Sequence, residues 1–396
     1  MFETADVVII GAGVNGASLA YHLALAGAGR IIVLEKQVAA AGATGLSSGL
    51  VRMHYTNEVE ARLAHASFRY FQHWADIVGG DCGFVETGFI RTVAPHNSEK
   101  LRATVAMLQR VGVATRLIDP SELRELAPAM QTDDIALAAY EPHSGYADPS
   151  ATTLSLLAAA RRQGVMLRQG VAVTGFLQQG ERITGVQTSA GDIAAGVVVC
   201  AAGGWTMRLL ASLGLRFPVW NVRHQVIMLQ RPPELHTHMT YIDGALDAYY
   251  RPDSPGMTLV GSGPMETGAD PDRFNQGADD PFVESVAEKI SRRMPVMESA
   301  AFVSGWAGVF AVSADLHPLI GPIPGCEQLY AIFGCNGTGF KVAPAVGKAL
   351  AEQIMGVSTP EVAITALRPA RYVEHDAIVD AQSYADRPQE HTEPPM

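Results

Sequence analysis

The residues near the amino terminus with the clearest chemical meaning are three glycines, Gly11, Gly13 and Gly16, in the pattern GxGxxG. In such a loop the first glycine permits a tight turn, the second lets the backbone approach a pyrophosphate, and the third allows the following helix to pack closely. The free amide groups at the start of that helix then face the phosphates. The spacing therefore predicts that this loop binds an adenine dinucleotide.

An acidic residue and a small polar segment follow the glycine loop. Glu35 ends the next strand-like run, at the spacing typical of a carboxylate that accepts hydrogen bonds from ribose hydroxyls. The segment Thr44-Gly45-Leu46-Ser47-Ser48-Gly49 comes after it. Its amides and hydroxyls suit a second phosphate and the edge of an isoalloxazine ring. Together with the position of the fingerprint at the very start of the chain, the segment favours FAD over NAD, although alone it would be read as an ordinary Gly/Ser loop.

These residues require a sheet and its helices to position them. The β-branched run 6–10, a helix over 17–26 and a second apolar run over 30–34 predict a βαβ unit. The later pattern predicts helices over 58–77, 97–111, 148–163, 280–294 and 342–354, and strands over 165–167, 171–177, 182–188, 196–200 and 329–333. We also expect a helix that begins at Asp119-Pro120, because both residue types suit a first helical turn.

The predicted fold class is α/β, with a Rossmann-type FAD-binding domain and an interleaved substrate domain built on a mostly antiparallel sheet. We expect the FAD-binding domain to comprise residues 1–80, 146–218 and 302–375, and the substrate domain to comprise 81–145 and 219–301. Residues 376–396 are polar and contain three prolines, which predicts a flexible tail.

The composition excludes several classes of function. Forty acidic residues against 29 Lys and Arg give a net charge of −11, which makes nucleic acid an improbable partner. Four widely separated cysteines suggest neither a disulfide framework nor a metal site. No export signal and no segment long enough to span a membrane is recognised, so we expect a cytoplasmic protein with no integral membrane segment. The sequence makes no prediction of the oligomeric state.

Four segments resemble the D-amino-acid oxidase superfamily of FAD enzymes, and most closely its sarcosine oxidase, dimethylglycine dehydrogenase and glycine oxidase-like members. They are 8–35, 44–55, 197–205, and 317–321 leading into 337–341. The resemblance implies that the glycine turn near the chain's end lies against the flavin and that Val173 contacts the adenine end. The complete expected cofactor set is Gly11, Gly13, Val14, Asn15, Gly16, Glu35, Lys36, Thr44, Gly45, Ser47, Ser48, Gly49, Leu50, Val173, Ala202, Gly203, Trp205, Gly337, Thr338, Gly339, Phe340 and Lys341.

The resemblance also implies residues that contact the substrate. Arg52 and Lys341 match an arginine and a lysine that hold a substrate carboxylate in the sarcosine oxidase branch. An arginine fork and a lysine point charge together would fix an amino-acid carboxylate above the flavin. His54 and Tyr250 are further candidates for the pocket, although a loop histidine is just as often a structural hydrogen-bonder and a tyrosine on a sheet is usually a core residue.

Two departures from the family pattern bear on the cofactor and on the electron acceptor. Gly308 aligns with a cysteine that tethers FAD in monomeric sarcosine oxidases, and the loop 41–49 has no histidine for the alternative linkage, so we expect noncovalent FAD. Thr258 aligns with a lysine that activates dioxygen. Without that lysine, no cation at this position would stabilise the superoxide anion as it forms. Dioxygen and another electron acceptor therefore both stay open as the oxidant of the reduced flavin.

The sequence thus predicts an enzyme that oxidises the C–N bond of a small amino acid or N-alkyl amino acid, sarcosine-like, by hydride transfer to flavin N5. The resulting imine would then hydrolyse. Two alternatives stay open: a flavin-dependent dehydrogenase of a 2-hydroxy acid, and a noncatalytic or electron-relay subunit of a larger flavoprotein complex.

Overall fold

The computed structural model of the chain describes residues 3–263 and 265–384. Its strands, in chain order, are β1 Glu3–Ile10, β2 Ile31–Glu35, β3 Leu50–Val51, β4 Val85–Glu86, β5 Phe89–Thr92, β6 Arg116–Ile118, β7 Ala138–Glu141, β8 Gly145–Tyr146, β9 Met166–Gln169, β10 Val173–Gln179, β11 Arg182–Thr188, β12 Ile193–Cys200, β13 Val219–Gln230, β14 Thr240–Asp243, β15 Ala248–Asp253, β16 Met257–Ser262, β17 Glu266–Thr267, β18 Ala301–Ser313, β19 Leu319–Pro322 and β20 Leu329–Phe333.

Its α-helices are α1 Val14–Leu25, α2 Glu58–Gln72, α3 Trp74–Ile77, α4 Ser98–Val111, α5 Pro120–Leu126, α6 Pro149–Arg162, α7 Thr206–Ala211, α8 Asp280–Arg293 and α9 Gly339–Ile354. The polar residues before several helices act as caps. The Asp119 and Asp148 carboxylates each accept hydrogen bonds from two backbone amides in the first turns of α5 and α6. The helix expected over 58–77 is interrupted at His73, so it forms α2 and the short α3.

An eight-stranded sheet carries the glycine loop. Its main path runs β10-β11-β12-β1-β2-β9, and β20 pairs with the end of β12 in parallel. Strands β1, β2, β9, β12 and β20 are parallel to their neighbours in this part, so their carboxyl ends meet at one edge. Alternate side chains of β1 enter two separate apolar cores, one on each face of the sheet. This edge is where a parallel α/β sheet binds its ligand.

A nine-stranded, mostly antiparallel sheet forms the second layer. Its path is β17-β13-β16-β15-β14-β5-β7-β6, with β18 along the other edge of β13. The fold class is therefore the one expected. Strand β18 pairs with β13 from residue 301 to residue 313, so the boundary expected between 301 and 302 falls at the start of a strand of this second sheet.

The segment 376–384, expected to be part of a flexible tail, packs against the rest of the chain. Asp380 accepts a hydrogen bond from Thr56, Tyr384 contacts His54, and the Ser383 carbonyl accepts from Lys100 Nζ at 2.7 Å. The expectation of looseness is wrong for these residues because their polar groups find partners on two other segments. The remainder of the predicted tail, 385–396, lies outside the described residues.

Candidate active site

A cavity of about 600 Å³ lies between the carboxyl edge of the first sheet and one face of the second. It runs from the Glu35 end of β2 to the start of α9 at Lys341. This volume is within the range of about 300–1,000 Å³ that is typical of small-molecule and cofactor sites. Most of the residues predicted to bind the cofactor line it: Gly11, Gly13, Val14, Asn15, Glu35, Lys36, Thr44, Ser47, Ser48, Leu50, Val173, Ala202, Gly203, Trp205, Gly337, Thr338, Gly339, Phe340 and Lys341.

The glycine loop has no room for side chains. Gly11 has a φ of +103°, and a Cβ there would lie 2.5 Å from the Ala201 carbonyl oxygen. At Gly16 a Cβ would lie 2.0 Å from the Gly11 carbonyl oxygen, so this glycine permits the close approach of α1 without lining the cavity. The Val14 amide donates to Thr44 Oγ1 at 3.2 Å, which joins the loop to the small polar segment. The loop therefore exposes backbone rather than side chains at the start of α1.

Two further glycines of the predicted cofactor set do not line the cavity. A Cβ on Gly45 would lie 2.6 Å from the Ala40 carbonyl oxygen. Gly49 has a φ of +67°, and a Cβ there would lie 2.2 Å from the Ala147 carbonyl oxygen. Both residues shape the turns of the polar segment, whose residues Thr44, Ser47 and Ser48 line the cavity.

The Glu35 carboxylate is held in place by backbone amides. Its Oε2 accepts from the Ala12 amide at 2.9 Å, and its Oε1 accepts from the Gln37 amide at 2.9 Å. A carboxylate has about four lone-pair sites, so both oxygens keep acceptor capacity for diol hydroxyls. This is the geometry that a ribose-binding acid requires.

A group of charged and aromatic side chains bridges the two sheets beside Glu35. Asp272 accepts hydrogen bonds from Lys36 Nζ at 2.6 Å, from Trp205 Nε1 at 2.9 Å and from Arg208 Nη1 at 2.5 Å. The Lys36 ammonium lies 3.7 Å from the centre of the Trp205 ring. The Lys36 hydrogen bond, followed by those from Trp205 and Arg208, lowers the pKa of Asp272 to about 2. We name these four residues the latch, because all of them line the cavity and they join its two walls.

The other end of the cavity is formed by the turn before α9. Gly337 has a φ of +69°, and a Cβ there would lie 3.0 Å from the Phe310 ring. The Asn336 side chain accepts from the Ser313 amide at 2.9 Å and donates to the Gly334 carbonyl at 2.6 Å, which holds the turn. The start of α9 lies beside the start of α1, since a Cβ on Gly339 would lie 3.3 Å from Asn15 Nδ2, and residues at the start of both helices line the cavity. A cavity lined by the exposed backbone of the glycine loop and of the turn before α9 fits FAD, the cofactor expected from the sequence.

Arg52 and Lys341 lie close together at the α9 end. Lys341 is 7% exposed, and burial, followed by the charge of Arg52, lowers its pKa well below the ordinary value. The Arg52 guanidinium lies 4.8 Å from the Tyr55 ring and donates to the His54 carbonyl, but its Nε is buried without a hydrogen-bond partner. In the part of the chain that the structure describes, neither cation forms a salt bridge with a carboxylate. Because neither group has a counter-ion, the pair can bind an anion, which would also favour the protonated form of Lys341.

A histidine and a tyrosine that sequence reasoning did not assign to the site line the same end. His224 Nε2 and the Tyr249 hydroxyl are 2.9 Å apart. Burial lowers the pKa of His224 to about 4 and raises the pKa of Tyr249, so both groups are neutral near pH 7. Either residue can therefore donate a hydrogen bond to a ligand, or accept one from it, while both residues stay neutral. The signal that could have found Tyr249 is the alternation of side chains along β15.

Tyr250, not Tyr249, was expected at the substrate, and this expectation is wrong. Tyr250 is fully buried in the core on the other face of the second sheet, where its ring stacks on Tyr241 with centroids 5.7 Å apart. Side chains of successive residues in a strand point to opposite faces of the sheet. An error of one residue in the assignment therefore moves a side chain from the cavity to the core. His54 also does not line the cavity; its Nε2 lies 3.0 Å from the Tyr384 hydroxyl, which is a structural role.

Thr258, which aligns with an oxygen-activating lysine in the family pattern, does not line the cavity. Thr258 is fully buried, and its hydroxyl lies 2.8 Å from His238 Nε2, on the face of β16 that points away from Tyr249. Gly308, by contrast, lines the cavity as its alignment predicted. A Cβ on Gly308 would lie 3.1 Å from Leu46 Cβ.

Comparisons with known proteins agree with this geometry. Dimethylglycine dehydrogenase of Rattus norvegicus is 27% identical over 93% of this chain and 45% of its own length, and sarcosine dehydrogenase of Homo sapiens is 26% identical over 89% of this chain and 40% of its own length. The chain therefore spans less than half the length of these relatives. No described helix has the length and apolarity needed to cross a lipid bilayer.

Solved structures share the whole fold. The L-proline dehydrogenase of P. horikoshii superposes with a TM-score of 0.88, at 25% identity, over 96% of this chain and 100% of that one. The glycine oxidase of Geobacillus kaustophilus has a TM-score of 0.81 over 93% of this chain and 99% of that one, at 23% identity. The profile of the FAD dependent oxidoreductase family, DAO, matches residues 6–353. The chain thus belongs to the DAO family of FAD-dependent oxidoreductases, as its sequence motifs predicted.

Proposed function

We propose that this protein oxidises the C–N bond of a small amino acid or N-alkyl amino acid. The observation that carries the proposal is the Arg52 and Lys341 pair at the expected flavin end, where Lys341 is buried, Arg52 is half-buried and neither has a carboxylate partner among the described residues. The names of several relatives support it, because dimethylglycine, sarcosine, 4-methylaminobutanoate and proline all combine an amine with a carboxylate.

The chain's own residues account for binding and orientation. Arg52 and Lys341 would hold the substrate carboxylate by charge-assisted hydrogen bonds, which places the amine and its neighbouring carbon over the turn before α9. The same positive charges disfavour an ammonium nearby, so they promote entry of the amine in its neutral form. His224 and Tyr249, both neutral, can accept or donate a hydrogen bond at the amine without opposing this effect. Bound FAD supplies the acceptor for the hydride that leaves the substrate carbon.

The experiment that tests the reaction class is anaerobic reduction of the FAD-loaded protein by a panel of N-alkyl amino acids, amino acids and 2-hydroxy acids. We expect the flavin absorbance to bleach with amine donors and an imine or its carbonyl hydrolysis product to appear. Bleaching by hydroxy acids alone would replace the proposal with 2-hydroxy-acid oxidation. Absence of bleaching across the panel would favour an electron-relay role.

We further propose that the electron acceptor is not dioxygen. The strand from Met257 to Ser262 contains no lysine. The lysines that line the cavity are Lys36, which is engaged in the latch, and Lys341, which is assigned to the carboxylate. We expect slow reoxidation of the reduced flavin in air and fast reoxidation by an artificial acceptor such as a quinone or a dye. Rapid reoxidation in air, with release of hydrogen peroxide, would contradict this assignment.

We also propose that FAD is held noncovalently. Gly308 offers no side chain for a link, and burial raises the pKa of the Cys335 thiol, which lines the cavity, to about 12. A thiol that keeps its proton is a poor nucleophile. Acid precipitation should leave the yellow colour in the supernatant; colour retained in the protein pellet would show a covalent bond.

A further inference from the structure

Arg91 lies one strand beyond the known wall of the cavity. On β5 it pairs with Ile242 of β14, and Ile242 pairs with Tyr249 of β15. Residues directly opposite each other in neighbouring strands point to the same face of a sheet. Because Ile242 and Tyr249 line the cavity, the Arg91 side chain rises from the same face, beside them.

Arg91 is also close to the expected carboxylate clamp. Phe89 precedes it by two residues on the same face, and the Arg52 guanidinium lies 5.9 Å from the Phe89 ring centre. The charges of Arg91 and Arg52 both reinforce the effect of burial in lowering the pKa of His54, so both guanidinium groups lie near this residue. Arg91 and Arg52 therefore belong to one positively charged region.

The Arg91 guanidinium has no ionic partner among the described residues. It packs over the Tyr384 ring, whose centre lies 5.2 Å from the guanidinium carbon. Burial, followed by the charge of Arg52, lowers the pKa of Arg91 to about 10. The residue nevertheless keeps part of its surface accessible, as the cavity residues Arg52 and Tyr249 do. A largely buried guanidinium that lacks a counter-ion is stabilised when an anion binds to it.

The neighbouring carboxylates are engaged elsewhere. Glu141 accepts from the Met53 amide at 2.9 Å and from the Ser144 hydroxyl at 2.5 Å, and burial raises its pKa. Asp243 lies on the opposite face of β14, where it forms a buried salt bridge with Arg293 at 2.7 Å.

Glu60 is likewise occupied, since its Oε2 contacts His317 Nδ1 at 2.5 Å. Two cations that line this end of the cavity, Arg52 and Lys341, and a third, Arg91, which lies behind Ile242 without lining the cavity itself, have no described carboxylate in a salt bridge to any of them. A single substrate carboxylate would neutralise only part of this charge.

We propose that Arg91 binds a second acidic group of the substrate, so that the preferred substrate is an amino acid or N-alkyl amino acid with an additional carboxylate on its side chain. This inference rests on the proposed function and adds the substrate class. Arg52 and Lys341 hold the carboxylate next to the amine, and Arg91, beyond Ile242, holds the distal one. A guanidinium can form two parallel hydrogen bonds with that carboxylate.

The test compares sarcosine with N-methyl-L-aspartate and N-methyl-L-glutamate in anaerobic flavin reduction, for the FAD-loaded wild type, Arg91→Gln and Arg91→Lys. We expect the wild type to prefer one of the dicarboxylates. A charge-assisted hydrogen bond contributes about 1.5–3 kcal/mol, so Arg91→Gln should weaken apparent dicarboxylate binding by about 10- to 150-fold. Its effect on sarcosine should be less than about threefold, and Arg91→Lys should recover part of the dicarboxylate affinity.

A second readout does not depend on turnover. Perturbation of the flavin spectrum by malonate, succinate and acetate gives dissociation constants for nonreacting acids, and the dicarboxylates should lose affinity selectively in Arg91→Gln. Arg116→Gln is the matched control. Arg116 is exposed on β6, and its guanidinium carbon lies 5.3 Å from the centre of the Tyr140 ring. The control substitution therefore also removes an arginine that packs over an aromatic ring. It should leave both constants unchanged.

The outcomes separate the two proposals. If no amine reduces the wild-type flavin, the proposed function fails. If sarcosine reduces it but dicarboxylates are not preferred, or if Arg91→Gln weakens all substrates equally, the role of Arg91 is overturned while the proposed function stands. Thermal unfolding of each variant, with a Tm close to that of the wild type, establishes that the comparison is made on folded protein.

Discussion

The two ends of the cavity differ in how completely the protein satisfies its own polar groups. At the dinucleotide end, Glu35 accepts two backbone hydrogen bonds and Asp272 accepts three side-chain hydrogen bonds. At the α9 end, Arg52 Nε and His224 Nδ1 are buried without partners, and Lys341 is buried beside another cation. This difference is consistent with the proposed roles, a resident cofactor at the first end and a substrate that enters and leaves at the second. Such unpaired groups commonly reduce stability in exchange for function.

The largest expected effect comes from removing the backbone cradle of the dinucleotide end. Gly11→Ala would place a Cβ against the Ala201 carbonyl oxygen in a left-handed conformation, so we expect a protein that does not retain FAD. Absorbance near the flavin bands after desalting measures this. Gly27→Ala is the matched control, since Gly27 also has a positive φ of +72° but has nothing within 4 Å of an added Cβ. Normal FAD content in Gly11→Ala would contradict the assignment of the glycine loop to dinucleotide binding.

The next effect concerns the unpaired cations. Arg52→Gln and Lys341→Met should each raise the apparent dissociation constant of an amine substrate by about 10- to 100-fold while FAD stays bound. Lys341→Met should also raise Tm by a few degrees, because it removes a buried amine that has no carboxylate partner among the described residues. Stopped-flow flavin reduction and thermal unfolding provide the two measurements. Unchanged substrate affinity in both variants would contradict the clamp.

A smaller effect is expected at the latch. Asp272→Asn weakens the bridge to Lys36 and Arg208, so FAD should dissociate about three- to tenfold faster, an effect limited by the partial exposure of these ion pairs. Recovery of flavin fluorescence after dilution measures the rate. Glu266→Gln, which removes a charge from an exposed position before the same loop, should not change it. Equal rates in wild type and Asp272→Asn would show that the latch does not retain the cofactor.

The smallest effect is a dependence of stability on pH. Burial lowers the pKa of His224 from 6.5 to about 4, so the unfolded chain binds more protons at this residue between those values. The stabilisation that the neutral histidine contributes is therefore present above pH 6.5 and is lost as the pH falls towards 4. Tm of His224→Gln should fall less steeply over this window than that of the wild type, by about a few degrees. His236→Gln, on an exposed loop, should follow the wild type, and parallel curves for His224→Gln would contradict the shift.

The backbone segments that line the cofactor cavity could be predicted from the sequence, because their chemistry depends on local patterns. The glycine loop, Glu35 and the turn 337–341 each occupy a few consecutive residues whose backbone requirements are visible in their types. The structure brings all three segments to one cavity, as expected from the parallel order of the strands that precede them.

The substrate end was predicted less well because it depends on strand register and on distant contacts. Tyr250 was assigned to the wrong face of a strand, an error that a one-residue shift produces. Asp272 and Arg91 reach the site through pairings with segments far away in the chain. The packing of 376–384 likewise depends on partners that polar composition does not reveal.

The most direct test of the carboxylate clamp is anaerobic bleaching of the FAD-loaded protein by N-alkyl amino acids and by the corresponding alkylamines that lack a carboxylate. The account predicts that the N-alkyl amino acids bleach the flavin and that the alkylamines do so only weakly, and that this difference shrinks in Arg52→Gln and Lys341→Met. Equal bleaching by both kinds of amine in the wild type would contradict it.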